Sequence, residues 1–208
     1  MTNLYKQICE SLALDDINDV SINYRHKRIS TGNDIYNYYA KRLSDNNISM
    51  EETEECYNFL IKSDPGTYIV NDYAELKNII IACVSVTYEP DLNWIDVHKI
   101  TSMKYLFSPY YNSNMTFIYI PDSDLENFNG DISKWDTSHV VDMSYMFRGC
   151  KEFNQPLYLN THNVKDMSYM FYGCEQFDQK LNFDISSLEN CKDIYGKCSI
   201  SEKNQIKF

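Results

Sequence analysis

The sequence predicts an α/β chain in two parts: a helical N-terminal region over residues 1–66, then a short solenoid of parallel strands and short helices over residues 67–208. Three observations predict it. The pentapeptide Met143-Ser144-Tyr145-Met146-Phe147 returns unchanged as Met167-Ser168-Tyr169-Met170-Phe171, 24 residues later. Val140, Cys150 and Phe153 return at the same offset as Val164, Cys174 and Phe177, and a worn third copy follows at Leu188, Cys191, Ile194, Tyr195 and Cys198. Self-similarity at such a period means stacked units, each too small to bury its apolar face without its neighbours. The first 66 residues carry no trace of it.

The elements follow in order. Leu4, Ile8, Leu12 and Ile17 fall at near-helical spacing in the first segment. Thr31-Gly32-Asn33-Asp34 starts a second helix through Ile35, Tyr38, Tyr39, Arg42 and Leu43, which the run Ser44-Asp45-Asn46-Asn47 stops by competing for backbone hydrogen bonds. Ser49 is a good N-cap for a third, with Glu51, Glu52, Glu54 and Glu55 near its positive end and Cys56, Phe59 and Leu60 on its apolar face. Asp64-Pro65-Gly66 ends it. Tyr68-Ile69-Val70 is β-prone, and Asn71 or Asp72 then caps a helix through Tyr73, Leu76, Ile79, Ile80 and Cys83.

The first repeat-like stretch is Asp91 to Phe107, where Ile100, Met103, Leu106 and Phe107 precede Val140, Met143, Met146 and Phe147 by 40 residues. The longer spacing predicts an extra, shorter turn whose strand is Met115 to Pro121. Within a unit, Val164 to Phe171 places apolar residues at i, i+3, i+6 and i+7, as a short helix does, and Gly173 stops it. Phe177 to Phe183 alternates at period 2 near its end, as a strand does. Strands of successive units would pair into a parallel sheet with helices behind, the curve of a leucine-rich repeat. Trp135, Leu159 and Phe183 share one position, which is therefore used for bulk.

A hydrophobic fraction of 43% with 18 tyrosines describes a folded protein. The net charge of −11 opposes attraction to nucleic-acid phosphates and suits a soluble protein or one that docks on a basic partner. No apolar stretch is long enough to span a membrane, and the N-terminus lacks the order of a secretory signal, so the chain reads as cytoplasmic, or as a surface protein only if a leader was removed. Seven cysteines without a C-x-x-C pair resemble neither a disulfide framework nor a zinc site. Cys150, Cys174 and Cys198 form a column of buried, reduced thiols instead, and Cys191 is expected to be buried in a methionine's place.

No catalytic residues, metal ligands or cofactor are assigned. His26, His98, His139 and His162 form no metal pattern, and there is no phosphate loop, dinucleotide fingerprint or nucleophile elbow. The carboxylates of Glu51 to Glu55 complement a helix N-terminus. A hydrolase using Glu54 and Glu55 is the alternative of a different class.

The run from Phe128 through Asp131, Trp135, Thr137 and Val140 to Phe147 resembles the BspA-like leucine-rich repeat, common in bacterial surface proteins, and the similarity covers about residues 68–198. The resemblance implies a curved parallel-sheet solenoid that serves in adhesion or other protein binding. The expected function is thus a non-catalytic protein-binding module, a scaffold or regulator of another protein, with no direct nucleic-acid contact. A sharper version is an acidic inhibitor that fills a basic, nucleic-acid-binding groove of a host or phage-defence protein. The surface adhesin is the version the resemblance supplies.

Period-2 alternation selects the partner-facing residues. Leu157 and Leu159 point inward, so Pro156 and Tyr158 face out, and Lys180 and Asn182 are their equivalents. Asp131 and Ser133 flank inward Ile132, and Tyr119 lies between Ile118 and Ile120. Tyr119 and Tyr158 are the expected anchors, since tyrosine joins apolar area to a polar tip, unless they pack on one another across strands.

Overall fold

The computed structural model describes residues 39–44, 48–62, 68–113, 116–119 and 124–207. The first expected helix, the start of the second and the break at Asp64-Pro65-Gly66 lie outside the described residues. Residues 39–43 are helical, with Tyr39, Ala40 and Leu43 buried. Helix α1, Met50–Lys62, starts on a reciprocal cap: the Ser49 hydroxyl accepts from the Glu52 N–H, and the Glu52 carboxylate accepts from the Ser49 N–H, both at 3.2 Å. Its buried Thr53, Cys56, Tyr57 and Leu60 recur at helical spacing and form one face.

Strand β1, Tyr68–Ile69, leads through helix α2, Tyr73–Val86, to strand β2, Ile95–Asp96, which pairs with β1 in parallel. Asp72 is the N-cap of α2 and accepts from the Glu75 N–H at 2.8 Å. Leu76, Ile79, Ile80, Cys83 and Val84 bury the inner face of α2. Among the described residues, no helix is long and apolar enough to cross a membrane.

The repeat units are bonded to one another through their backbones, but not by the segments that the sequence suggests. The expected helix at 164–171 is a train of turns. Alternate N–H groups, those of Met167, Tyr169, Phe171 and Gly173, donate to the carbonyls of Asn190, Lys192, Ile194 and Gly196 in the next unit. The N–H groups between them, on Met170, Tyr172 and Cys174, donate three residues back. The preceding unit repeats the pattern from Met143, Tyr145, Phe147 and Gly149, and the first unit from Met103, Tyr105 and Phe107. Parallel bridges join Ser102, Asp142, Asp166 and Asn190 in one line. A helix is ruled out locally because Tyr105, Tyr145 and Tyr169 hold φ of 58°, 60° and 56°, in the left-handed region. The expected strand at 177–183 keeps its alternation without a ladder; the Leu181 N–H donates to the Asn204 carbonyl, and the Phe177 N–H donates three residues back to Cys174.

The 40-residue spacing has a different cause from the one expected. Strands β3, Tyr110–Ser113, and β4, Thr116–Tyr119, form an antiparallel hairpin rather than a further turn of the stack, and a 3-10 helix, Asp124–Asn127, returns the chain to it.

Phenylalanine columns fill the interior. Phe107, Phe147 and Phe171 stack at 5.1 and 5.7 Å between ring centres, and Phe128, Phe153 and Phe177 at 5.8 and 5.6 Å. All six are fully buried, each worth about 1.5–3 kcal/mol in area removed from water. Trp135 adds a bond to bulk: its ring N–H donates to the Leu92 carbonyl at 2.9 Å. Cys150 and Cys174 are fully buried and donate to the Phe107 and Phe147 carbonyls at 3.2 and 3.1 Å. Cys191 and Cys198 are only half-buried, contrary to expectation, because no further unit covers them among the described residues.

Two polar side chains of α2 reach the first unit. Lys77 is buried, and its ammonium donates to the carbonyls of Tyr105, Leu106 and Ser108 at 3.1, 2.6 and 3.3 Å. Burial pushes its pKa down to about 8, which leaves it largely charged at neutral pH. The Tyr73 hydroxyl donates to the Lys104 carbonyl at 2.8 Å. The cap on the first unit is thus α2, while the N-terminal helices pack behind it. There Glu75 binds Lys41 at 2.7 Å, the Tyr68 hydroxyl at 2.7 Å and the Asn71 N–H at 2.8 Å.

Candidate interaction surfaces

The structure separates six of the seven expected partner-facing residues into two groups. Pro156, Tyr158, Lys180 and Asn182 are exposed, while Leu157, Leu159 and Leu181 between them are buried, so the alternation holds in the extended runs of two successive units. Tyr158 is 71% exposed, the highest value for a large apolar side chain among the described residues. Asp131 and Ser133 are half-buried and knit the first two units together. The Asp131 carboxylate accepts from the Ser133 N–H at 2.8 Å, and its backbone bonds Pro90 and Leu92. That turn recurs through Asp142 with Ser144 and Asp166 with Ser168, so these carboxylates shape the chain. Tyr119 ends β4, and its side chain lies outside what the structure describes.

A second surface lies on the turn train, where sequence reasoning placed a helix. Tyr105, Tyr145 and Tyr169 stack with ring centres 4.5 and 4.9 Å apart. Arg148 lies over the rings of Tyr110, Tyr145 and Tyr172 at 5.1, 5.6 and 5.5 Å, and Lys104, Lys192 and Lys197 lie over rings of the same surface at 5.6–5.9 Å. The recurrence of tyrosine at 105, 145 and 169 is a signal that could have marked this column. The three-residue spacing of the methionines beside it masked it as a helix.

Titratable groups elsewhere serve local bonds. His98 pairs with Asp96 at 2.8 Å and His162 with Asp184 at 3.1 Å. The Ser186 N–H and side chain, with His162, hold Asp184 down at about 2. No group of three or more His, Cys, Asp or Glu side chains is placed to hold a metal ion among the described residues. Glu54 is exposed and Glu55 half-buried on α1. A shallow hollow of about 460 Å³ is walled by Thr87, Tyr88, Glu89, Asn127, Asn129 and Glu152.

These features define a protein of backbone-bonded 24-residue units, capped at one end by a helix and bearing a tyrosine column that is buried at Tyr105 and half-buried at Tyr145 and Tyr169. A family model described as "Mycoplasma protein of unknown function, DUF285" matches residues 74–208, well over half of the chain, and the chain belongs to that family. The match corrects the expected kinship: the BspA-like leucine-rich repeat is not the family found, so the adhesin role it supplied loses its support. The match begins at α2, one residue inside the helix that caps the units. No curated protein matches the chain. No solved structure matches it either.

Proposed function

We propose that this chain is a non-catalytic protein-binding module: a short solenoid of stacked units that regulates or scaffolds another protein. The observation that carries the reading is Tyr158, 71% exposed and flanked by inward Leu157 and Leu159. An aromatic ring on a rigid extended run is the type of residue that anchors interfaces. Pro156, Lys180 and Asn182 extend the same strip across two units. Free, buried thiols at Cys56, Cys83, Cys150 and Cys174 support a reducing, cytoplasmic setting. The net charge of −11 favours a partner with a basic surface, which includes the groove-filling inhibitor as its sharpest form.

The test compares capture of host proteins by the wild-type chain and by Tyr158→Ala. The variant should lose the partner while keeping its melting temperature, and about 0.5 M salt should weaken capture by screening. Undiminished capture by the variant would remove this strip from the function. Salt-independent capture would remove the basic partner.

A further inference from the structure

The ladder that joins the units has a direction. Along the turn train, from Met103 to Asp142 through Gly173 to Gly196, each bond runs from an N–H of one unit to a carbonyl of the next; just before it, the N–H groups of Val141, Lys165 and Glu189 donate back to the carbonyls of Thr101, Val141 and Lys165. Its two edges therefore differ in kind. Along the train the first edge presents carbonyls, and Tyr73 and Lys77 take those of Lys104, Leu106 and Ser108; Lys77 also reaches the Tyr105 carbonyl, which accepts from the Ser108 N–H within the turn. The last edge presents one carbonyl, that of Glu189, and then a row of N–H groups: those of Cys191, Asp193, Tyr195 and Lys197, the residues that follow Met167, Tyr169, Phe171 and Gly173 by 24. Their neighbouring carbonyls, of Asn190, Lys192, Ile194 and Gly196, all accept from the unit before. None of these four N–H groups has an acceptor among the described residues.

We propose that this edge docks an extended acidic peptide segment of another protein, a second site distinct from the Tyr158 strip. Three observations select the occupant. First, the row is reachable: Asp193 and Lys197 are exposed, and Cys191 and Tyr195 half-buried. The tail beyond it meets the row through the Tyr195 side chain, whose hydroxyl accepts from the Ile206 N–H at 3.1 Å, and otherwise buries Ile200 and Ile206 and bonds Asn204 to Leu181, taking none of the four N–H groups. Second, an edge of donors rejects its own kind. Two copies facing each other through it would set four N–H groups against a single carbonyl on each side, and the carbonyl edge of a second copy is occupied by Tyr73 and Lys77. Third, the charge is locally reversed. In a chain of net charge −11, residues 188–207 hold four lysines against three carboxylates, and Lys192 and Lys197 lie within the row, their ammoniums over Tyr169 and Tyr172 of the preceding unit. Asp193 and Lys197 hold left-handed φ of 54° and 56°, the alternation by which successive N–H groups form concave anion sites. Asp193 is the one carboxylate in the row and works against the ligand.

The test uses the isotope-labelled full chain and, as probe, a short synthetic peptide of alternating Glu and Thr, with a Lys-for-Glu version beside it. The acidic peptide should shift the amide protons of Cys191, Asp193, Tyr195 and Lys197 downfield and slow their exchange. Lys192→Glu with Lys197→Glu should weaken binding at least roughly tenfold, and Asp193→Asn should tighten it. Lys192→Gln with Lys197→Gln guards against misfolding of the charge-reversed pair and should weaken binding in the same direction. Tyr158→Ala should leave it unchanged, so failure here and failure of the strip are separable. Shifts that fall elsewhere, equal binding of the Lys peptide, or self-association that protects the four amides would overturn the proposal.

Discussion

The first and last units of the array share a backbone pattern and end in opposite ways. At the first unit, carbonyls that would face a preceding neighbour face α2 instead, which supplies a phenol and an ammonium where another unit would supply N–H groups. At the last unit the N–H row has no such substitute among the described residues, and its cysteines are half-buried where their counterparts are fully buried. A directional ladder needs unlike caps: donors at its carbonyl end, acceptors at its amide end. A buried lysine at the carbonyl end follows the same electrostatics as a cation at a helix C-terminus.

Thiol reactivity gives the widest contrast. Burial raises the pKa of the Cys150 and Cys174 thiols well above the ordinary range and that of Cys198 less far. Cys150 and Cys174 react only when the fold opens, which costs a domain about 5 kcal/mol or more. Under native conditions, Cys191 and Cys198 should therefore label roughly a thousandfold faster, as read by peptide mass after a thiol-reactive pulse. Equal rates at all four would mean that the two ends are equally open. Next in size is Lys77→Met, which strands the Leu106 and Ser108 carbonyls, the Tyr105 carbonyl keeping the Ser108 N–H, and should cost about 2–4 kcal/mol in denaturant unfolding. Lys197→Met, at the exposed end, should cost less than about 0.5 kcal/mol. Similar losses would deny α2 its capping role.

Acid sharpens the comparison further. Burial alone would raise Glu75, but Lys41, the Asn71 N–H and the Tyr68 hydroxyl outweigh it and hold its pKa at about 2 instead of 4.5. A carboxylate depressed on folding adds stability above the unfolded value and loses it as pH falls from 4.5 through 2. The contribution is about 1–3 kcal/mol at neutral pH, with the lower figure allowing for screening of Lys41, whose side chain is 66% exposed. Glu75→Gln should flatten that part of the acid unfolding curve. An unchanged acid limb would show that the N-terminal helices are not tied to α2 through this residue.

Much of this was legible from residue types. Ser49 and Asp72 cap the helices they were expected to cap, because short oxygen-bearing side chains before an apolar periodic run have few other uses. The inward Leu157, Leu159 and Leu181 were visible in simple alternation. Within the unit, however, the ladder belongs to the segment that looked helical. A three-residue apolar spacing fits a chain of turns as well as a helix. The residue that decides is a left-handed tyrosine, and tyrosine at that position gives no warning of the kind glycine would. The 40-residue offset revealed an insertion but not its hairpin pairing. Lys77 was hidden for a related reason. A lysine in a helix normally reads as solvent-facing, and only the stacked carbonyls opposite give it a buried role.

Two glycines supply the smallest and cleanest contrast. Gly149 and Gly173 occupy the same repeat position with φ of 81° and 76°, so alanine at either meets the same left-handed penalty, about 1–2 kcal/mol. Their surroundings differ. A Cβ on Gly173 would lie 3.7 Å from its nearest neighbour, the Cα of Gly149, which is ordinary contact. A Cβ on Gly149 would meet the Tyr110 ring at 2.9 Å and Pro109 at 3.2 Å, where the chain turns into the hairpin. Gly149→Ala should therefore cost about 1 kcal/mol more than Gly173→Ala, the added loss being overpacking against Tyr110. Repeating Gly149→Ala in a Tyr110→Ala background should remove most of that difference, since the pair would no longer touch. Denaturant midpoints of the four variants measure it. A difference that survives the loss of the Tyr110 ring would place the crowding in the backbone of the turn itself, and the hairpin would then contribute nothing to the tighter packing of the α2 end.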